Sequence, residues 1–172
     1  AVTQIDANAF YGCSALASVV LGNALTQIGA NAFYGCSVLD GIILPSTLKT
    51  IGNYAFYESG LKTITVPNSV TSIGDNCFEN NKKLTTVTIG SGCKTLPASA
   101  FAGCSLLSNV TLPDGLTTIS NKAFANCVSL TSISIPGTVT SVGTVTTSSA
   151  SLPFYGCTAL KSVRFEDGAS DI

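Results

Sequence analysis

At 172 residues and a net charge of −1, the chain lacks the basic excess of a nucleic-acid footprint or a polybasic membrane anchor. It has no histidine, which excludes His-based triads, His metal ligands and His pH switches. Charged residues make up only 10%, but the 45% that are hydrophobic recur in register, so the chain folds; no apolar run approaches the ~18 residues of a membrane span.

Taken from the N-terminus, residues 1–9 are the tail of a unit, and the first full unit opens at Phe10. The same phenylalanine returns at Phe33, Phe56, Phe78, Phe101, Phe124 and Phe154, with spacings of 23, 23, 22, 23, 23 and 30. A period in this range marks stacked repeats, each too small to bury its own apolar face. The unit reads F-x-G-C-x-x-L-x-x-V-x-L-P-x-x-L-T-x-I-G-x-x-A. Six full repeats and a partial repeat at each end therefore form a single solenoid over 1–172. Both ends fall in mid-repeat without a polar-faced cap, so the chain reads as a piece of a longer array.

Within each unit, alternation of apolar and polar residues predicts a half-buried strand. Its inward pairs are Val19/Leu21, Ile42/Leu44, Ile64/Val66, Val87/Ile89, Val110/Leu112, Ile133/Ile135 and Val163/Phe165. Pro45, Pro67, Pro113 and Pro136 end these strands, because proline cannot continue a ladder. Gly29, Gly52, Gly74 and Gly143 punctuate the turn before the next Ala-Phe pair. Two units depart from the pattern. The third loses a residue at Phe56-Tyr57-Glu58-Ser59-Gly60-Leu61, and the sixth gains seven between Thr144 and Pro153. Such an insertion maps to a surface loop, which array loops tolerate and sometimes use for function.

Cys13, Cys36, Cys104, Cys127 and Cys157 share one repeat position, and Asn81 stands there in the fourth unit. Cysteine and asparagine are both small and both can donate to a backbone carbonyl, which predicts reduced thiols satisfying turn carbonyls. Adjacent rungs ~4.8 Å apart also lie within disulfide reach, so pairing stays open. Cys77 and Cys93 align with Ala and Leu and read as small core residues. There is no C-x-x-C, and a stacked column does not converge tetrahedrally, so no metal is expected. The carboxylates share no repeat position, which argues against an acid–base site. Gly90-Ser91-Gly92 lacks the lysine and helix of a phosphate loop, so no cofactor is expected. Asn109-Val110-Thr111 is an N-glycosylation sequon, relevant only in a eukaryotic secretory pathway.

The repeated I-G-x-x-A-F-x-G-C string, best seen in Gly29 to Cys36 and Ile119 to Cys127, resembles the BspA-like leucine-rich repeat family, whose units are of the 23-residue Treponema pallidum type. The resemblance covers essentially the whole chain. It departs at Pro97 and Ser120 for the turn Gly, at Asn81 for the Cys, and in the loop after Gly143. It implies a mainly β solenoid with a curved parallel ladder and short turns or 3-10 segments on the convex side. Relatives of this type are exported or surface-attached proteins, several of them adhesins toward host matrix or other cells.

In such repeats the outward residues of the strands form the concave binding face. Here they are Ser18/Val20, Gly41/Ile43, Thr63/Thr65, Thr86/Thr88, Asn109/Thr111, Ser132/Ser134 and Ser162/Arg164. The binding strip expected by resemblance comprises Thr63, Thr65, Thr86, Thr88, Asn109, Thr111, Ser132, Ser134 and Arg164. Threonine is equally a good former of exposed strands, which accounts for the composition without any ligand. The resulting expectation is a non-enzymatic extracellular or cell-surface scaffold that binds a protein or glycan, with no membrane insertion and no nucleic-acid partner. Its alternative is an architectural spacer carrying another binding domain.

Overall fold

The computed structural model describes residues 1–144 and 148–167. The chain winds as a parallel β-solenoid in which each 23-residue unit is one coil. In chain order its strands are β1 (Gln4–Ile5), β2 (Gln27–Ile28), β3 (Thr50–Ile51), β4 (Thr63–Val66), β5 (Ser72–Ile73), β6 (Thr86–Ile89), β7 (Thr95–Leu96), β8 (Asn109–Thr111), β9 (Thr118–Ile119), β10 (Ser132–Ile135), β11 (Ser141–Val142) and β12 (Ser162–Phe165).

Two kinds of ladder run along the coils. The longer strands carry the alternation legible in sequence: β4 and β10 bury their second and fourth residues and leave the first exposed. They pair as β4-β6-β8 and, separately, β10-β12. Of the seven strand segments expected from the alternation, five are strands, in two separate groups. The segments around Val19/Leu21 and Ile42/Leu44 form no strand, and β8 does not pair with β10. At the first outward position those two early coils offer Ser18 and Gly41, where β4 and β6 match Thr63 with Thr86. Serine and glycine supply no β-branched cross-strand pair, and glycine weakens a strand outright.

The second kind was not legible in the periodicity. Two-residue strands just before the turn pair as β1-β2-β3-β5 and as β11-β9-β7, in register Gln4↔Gln27 and Ile5↔Ile28 at the start. On the turn side, 3-10 geometry is confined, among the described residues, to Ser149–Ser151. The remaining turns combine local bonds, such as Cys13 N–H to Phe10 O at 3.1 Å, with bonds between coils. The N–H groups of Asn8, Phe10 and Gly12 donate to the carbonyls of Ala30, Ala32 and Tyr34 at 2.9, 2.8 and 2.8 Å. Equivalent bonds recur in every coil, as far as Phe124 N–H to Pro153 O at 2.8 Å and Asn126 N–H to Tyr155 O at 2.7 Å. This turn ladder crosses both gaps left by the strands.

Its geometry needs left-handed residues at two places per coil. Asn8, Asn31, Asn76 and Ser99 supply one, with φ of 61°, 55°, 59° and 54°. Gly12, Gly35, Gly103 and Gly156 supply the other, with φ between 70° and 74°. Asparagine and glycine are the residues that enter this region at least cost. The turn glycines before them serve a different purpose. A Cβ on Gly29 would lie 2.5 Å from the Ala7 nitrogen, and one on Gly52 would lie 2.5 Å from the Ala30 nitrogen. They are glycine because the backbone of the preceding coil passes there; only Gly143, with φ of 72°, is glycine for its dihedral. The insertion leaves the ladder intact, since Ser151 and Pro153 accept from Lys122 and Phe124. Residues 145–147 within it lie outside the described residues.

The core is one continuous column. Phe33, Phe56, Phe78, Phe101 and Phe124 are fully buried, and consecutive rings from Phe10 to Phe154 stack with centroids 5.2–5.7 Å apart and planes within 13°. Around them Leu25, Leu48, Leu61, Leu84, Leu107 and Leu130 are at most 2% exposed. Burial declines at the two ends, where Phe10 and Phe154 are half-buried and Val163 and Phe165 are 39% and 50% exposed. Phe101→Ala should therefore cost about 3–5 kcal/mol in denaturant unfolding, with both ring faces lost to a cavity. Phe10→Ala should cost clearly less, because that ring stacks on one side only; equal costs would contradict the column as the stabilising unit.

Candidate functional site on the long-strand face

Each candidate side chain is placed by the inward pair of its own strand, since a strand that buries Val87 and Ile89 must turn Thr86 and Thr88 the other way. Parallel pairing then aligns these choices from coil to coil. Thr63, Thr86 and Asn109 form one row, and Thr65, Thr88 and Thr111 form a second. Ser132 faces Ser162 and Ser134 faces Arg164 on the separate β10-β12 pair. The nine residues are thus brought onto two patches, six on the first and three on the second. Thr63, Thr65, Asn109, Thr111, Ser132 and Arg164 are exposed, whereas Thr86, Thr88 and Ser134 are half-buried. Ser134 is also engaged, its hydroxyl donating to Glu166 Oε1 at 2.8 Å. The second patch therefore holds serine hydroxyls, a carboxylate and the Arg164 cation, while the first holds only hydroxyls and one amide.

Val20 and Ile43 continue the Thr65/Thr88/Thr111 row into the first two coils and are 97% and 88% exposed. They were visible in sequence as outward residues, yet a polar criterion for binding passes over them. Beside the strip, a groove of about 570 Å³ runs along Thr65, Pro67, Ser69, Thr88 and Gly90. The Ser69 hydroxyl there is buried without a hydrogen-bond partner.

In the phenylalanine turns, the cysteine column behaves as its spacing predicted. The thiols of Cys36, Cys104, Cys127 and Cys157 lie 3.3, 3.2, 3.2 and 3.0 Å from the carbonyls of Phe10, Phe78, Phe101 and Phe124. Asn81 takes the same place with two bonds, from Nδ2 to Phe56 O at 2.7 Å and to Phe78 O at 3.0 Å. In the shortened third coil, which has no cysteine, the position belongs to Ser59. Its hydroxyl lies 2.9 Å from Phe56 O and 2.8 Å from Asn81 Oδ1. All the cysteines are free thiols, so the alternative of rung-to-rung disulfides is not realised. Among the described residues, no group of cysteine and carboxylate side chains is placed to hold a metal ion.

Burial raises the thiol pKa at Cys36, Cys77, Cys93, Cys104, Cys127 and Cys157, to about 11 at Cys93 and about 12 at Cys104. Only thiolate is nucleophilic, so these positions are chemically quiet at neutral pH. Cys13 alone is exposed. Iodoacetamide on the native protein should therefore add one equivalent, at Cys13, and seven after unfolding. Several native adducts at intact mass would contradict the closed column. Because the folded thiols hold their protons longer than unfolded ones (pKa ~8.5), the unfolded state loses protons first as pH rises. Stability should be flat below about pH 8 in this respect and fall between about pH 9 and 12; alkaline denaturation midpoints that do not move would refute the linkage.

Comparison with known proteins follows the same pattern. The model of the BspA type leucine rich repeat region matches in 6 copies, over residues 3–110 and 26–161. Among curated proteins none matches. A leucine rich cell surface protein from Faecalibacterium prausnitzii is similar at 30% identity and TM-score 0.68, over 95% of this chain and 51% of its own. A leucine-rich repeat protein from Bacteroides ovatus is similar at 26% identity and TM-score 0.63, over 98% of this chain and 59% of its own. The leucine rich repeat protein of T. pallidum is similar at 29% identity and TM-score 0.58, over 75% of this chain and 72% of its own. The chain thus spans little more than half the length of the first two. With period, turn ladder and family model in agreement, the chain belongs to the BspA-type leucine-rich repeat family.

Proposed function

We propose that this chain is a non-enzymatic extracellular or cell-surface scaffold that presents its long-strand face to a protein or glycan ligand, in adhesion to host matrix or other cells. The observation that carries the reading is the in-register outward array of Thr63, Thr65, Thr86, Thr88, Asn109 and Thr111, with Ser132, Ser134 and Arg164 on a second, separately paired patch. Such a surface offers many modest hydrogen bonds in place of charged anchors, so binding is shallow in its salt dependence. It gains strength from repeated display along the array and over a surface. The F. prausnitzii relative, a leucine rich cell surface protein, supports the location. Among the described residues no helix is long and apolar enough to cross a membrane. A spacer that only projects another domain is the second reading.

Thr88→Glu combined with Thr111→Arg places bulky charge on the first patch without touching the core. It should reduce attachment to matrix-coated surfaces at least about tenfold, whereas Lys49→Glu, an exposed change across the coil, should leave attachment unchanged. Attachment that survives the first change and fails with the second would place binding elsewhere. Indifference to both, with folding intact by circular dichroism, would favour the spacer.

A further inference from the structure

We infer that binding on this face is anchored at its apolar end, where Val20 and Ile43 receive one large aliphatic or aromatic side chain from an extended, uncharged segment of a partner protein. The inference rests on the proposed function above and narrows it from a hydroxyl strip to a partner class and an anchoring pair.

Exposure is the first observation. Val20 and Ile43 are 97% and 88% exposed, more than any other large hydrophobic residue described. The value at Ile43 is not an effect of the array's edge, since coils lie on both sides of it. Val163 and Phe165, expected as inward residues of β12, are exposed as well, at 39% and 50%, because the core does not extend over the last coil. At the equivalent outward place the later coils carry Thr65, Thr88, Thr111, Ser134 and Arg164, so apolar side chains there are a local departure from the repeat.

Shape is the second. Val19, Val20, Leu21, Asn23, Ile43 and Pro45 line a cavity of about 200 Å³, room for one bulky side chain. A central apolar anchor seated in a pocket and surrounded by weaker polar contacts is the usual distribution of energy at protein interfaces.

Backbone chemistry is the third. From Ser18 to Leu21 and from Gly41 to Leu44, no backbone N–H or carbonyl has a hydrogen-bond partner among the described residues, in contrast to the paired coils from β4 onward. Backbone groups are obligatory donors and acceptors, and in these two coils the neighbouring coils do not satisfy them. The neighbouring groove past Thr65, Ser69 and Thr88 prolongs the path with polar groups, one of them the unpartnered Ser69 hydroxyl.

Charge is the fourth. From Val20 through Thr111 the outward rows carry no ionised side chain, and the charges beside them, Asp40 and Lys62, are engaged with each other in an ion pair at 3.0 Å. A charged partner would be desolvated here without compensation, which selects a neutral one.

The test titrates the protein with a neutral peptide of Ser, Thr and Gly bearing a single central Leu, and with the same peptide bearing Ser there, followed by methyl NMR. The Leu peptide should give saturable shifts at the Val20 and Ile43 methyls, and the Ser peptide should bind at least about tenfold more weakly. Val20→Thr with Ile43→Thr installs the residue the array itself uses at this position, so the fold is kept. It should weaken the Leu peptide by a similar factor. No saturable shift at those methyls overturns the anchor, and so does unchanged binding in the double threonine variant. If Thr88→Glu still abolishes attachment to matrix in either case, the hydroxyl-strip reading survives alone. Shifts confined to methyls off this face, such as Val38 and Val128, overturn both.

Discussion

The carbonyls at the phenylalanine turn impose the constraint from which most of this architecture follows. Each coil must fold its backbone sharply around a ring that is stacked, face to face, between the rings of its neighbours. The backbone groups of that turn are sealed against apolar side chains, where an unpaired donor or acceptor costs about 1–3 kcal/mol. Stacking solves the problem collectively, because the turn of each coil donates its N–H groups to the carbonyls of the next. Ring stacking and hydrogen bonding thus act on the same turn, and its ladder runs on where both strand ladders are interrupted.

The side chain after the turn completes the accounting. A thiol is small enough to sit in the column and polar enough to reach a carbonyl of the preceding coil, as at Cys104 and Cys127. Where the third coil is one residue short, that solution is replaced by a pair. Ser59 and Asn81 are the only buried polar residues described, at 5% and 0% exposure, and they bond each other and two carbonyls. The irregular coil is therefore stitched to its neighbour by stronger donors than its regular counterparts use. Gly60 fits beside it because a Cβ there would meet the Ser37 carbonyl oxygen at 2.5 Å.

Such a scaffold separates stability from surface chemistry. The side chains that hold the coils together point inward or lie in the turn, so the outward rows of β4, β6 and β8 are free to vary without disturbing the fold. The chain uses this freedom unevenly. Its outward face passes from aliphatic at Val20 and Ile43, through hydroxyl at Thr65, Thr88 and Thr111, to charged at Arg164 and Glu166. A face with that gradient presents different chemistry to a partner at each end, although every unit is built on one template.

How much of this the sequence determined by itself follows from the range of the interactions involved. The phenylalanine period, the inward pairs of β4, β6 and β10, and the donor role of Cys36 and Asn81 repeat at a fixed offset, so one dimension suffices to read them. The candidate strip was legible for the same reason, since alternation within a strand fixes which residues point outward. What only the tertiary structure decided depends on distances between coils. The turn glycines 29 and 52 are dictated by the backbone of the preceding coil, and Ser59 enters the thiol column through a contact with Asn81 across 22 residues. The two-residue strands carry too few residues to show a period, and the gap between β8 and β10 divides rows that look continuous on paper. A repeat encodes what each coil is, but whether neighbouring coils meet at hydrogen-bonding distance is settled only when they stack.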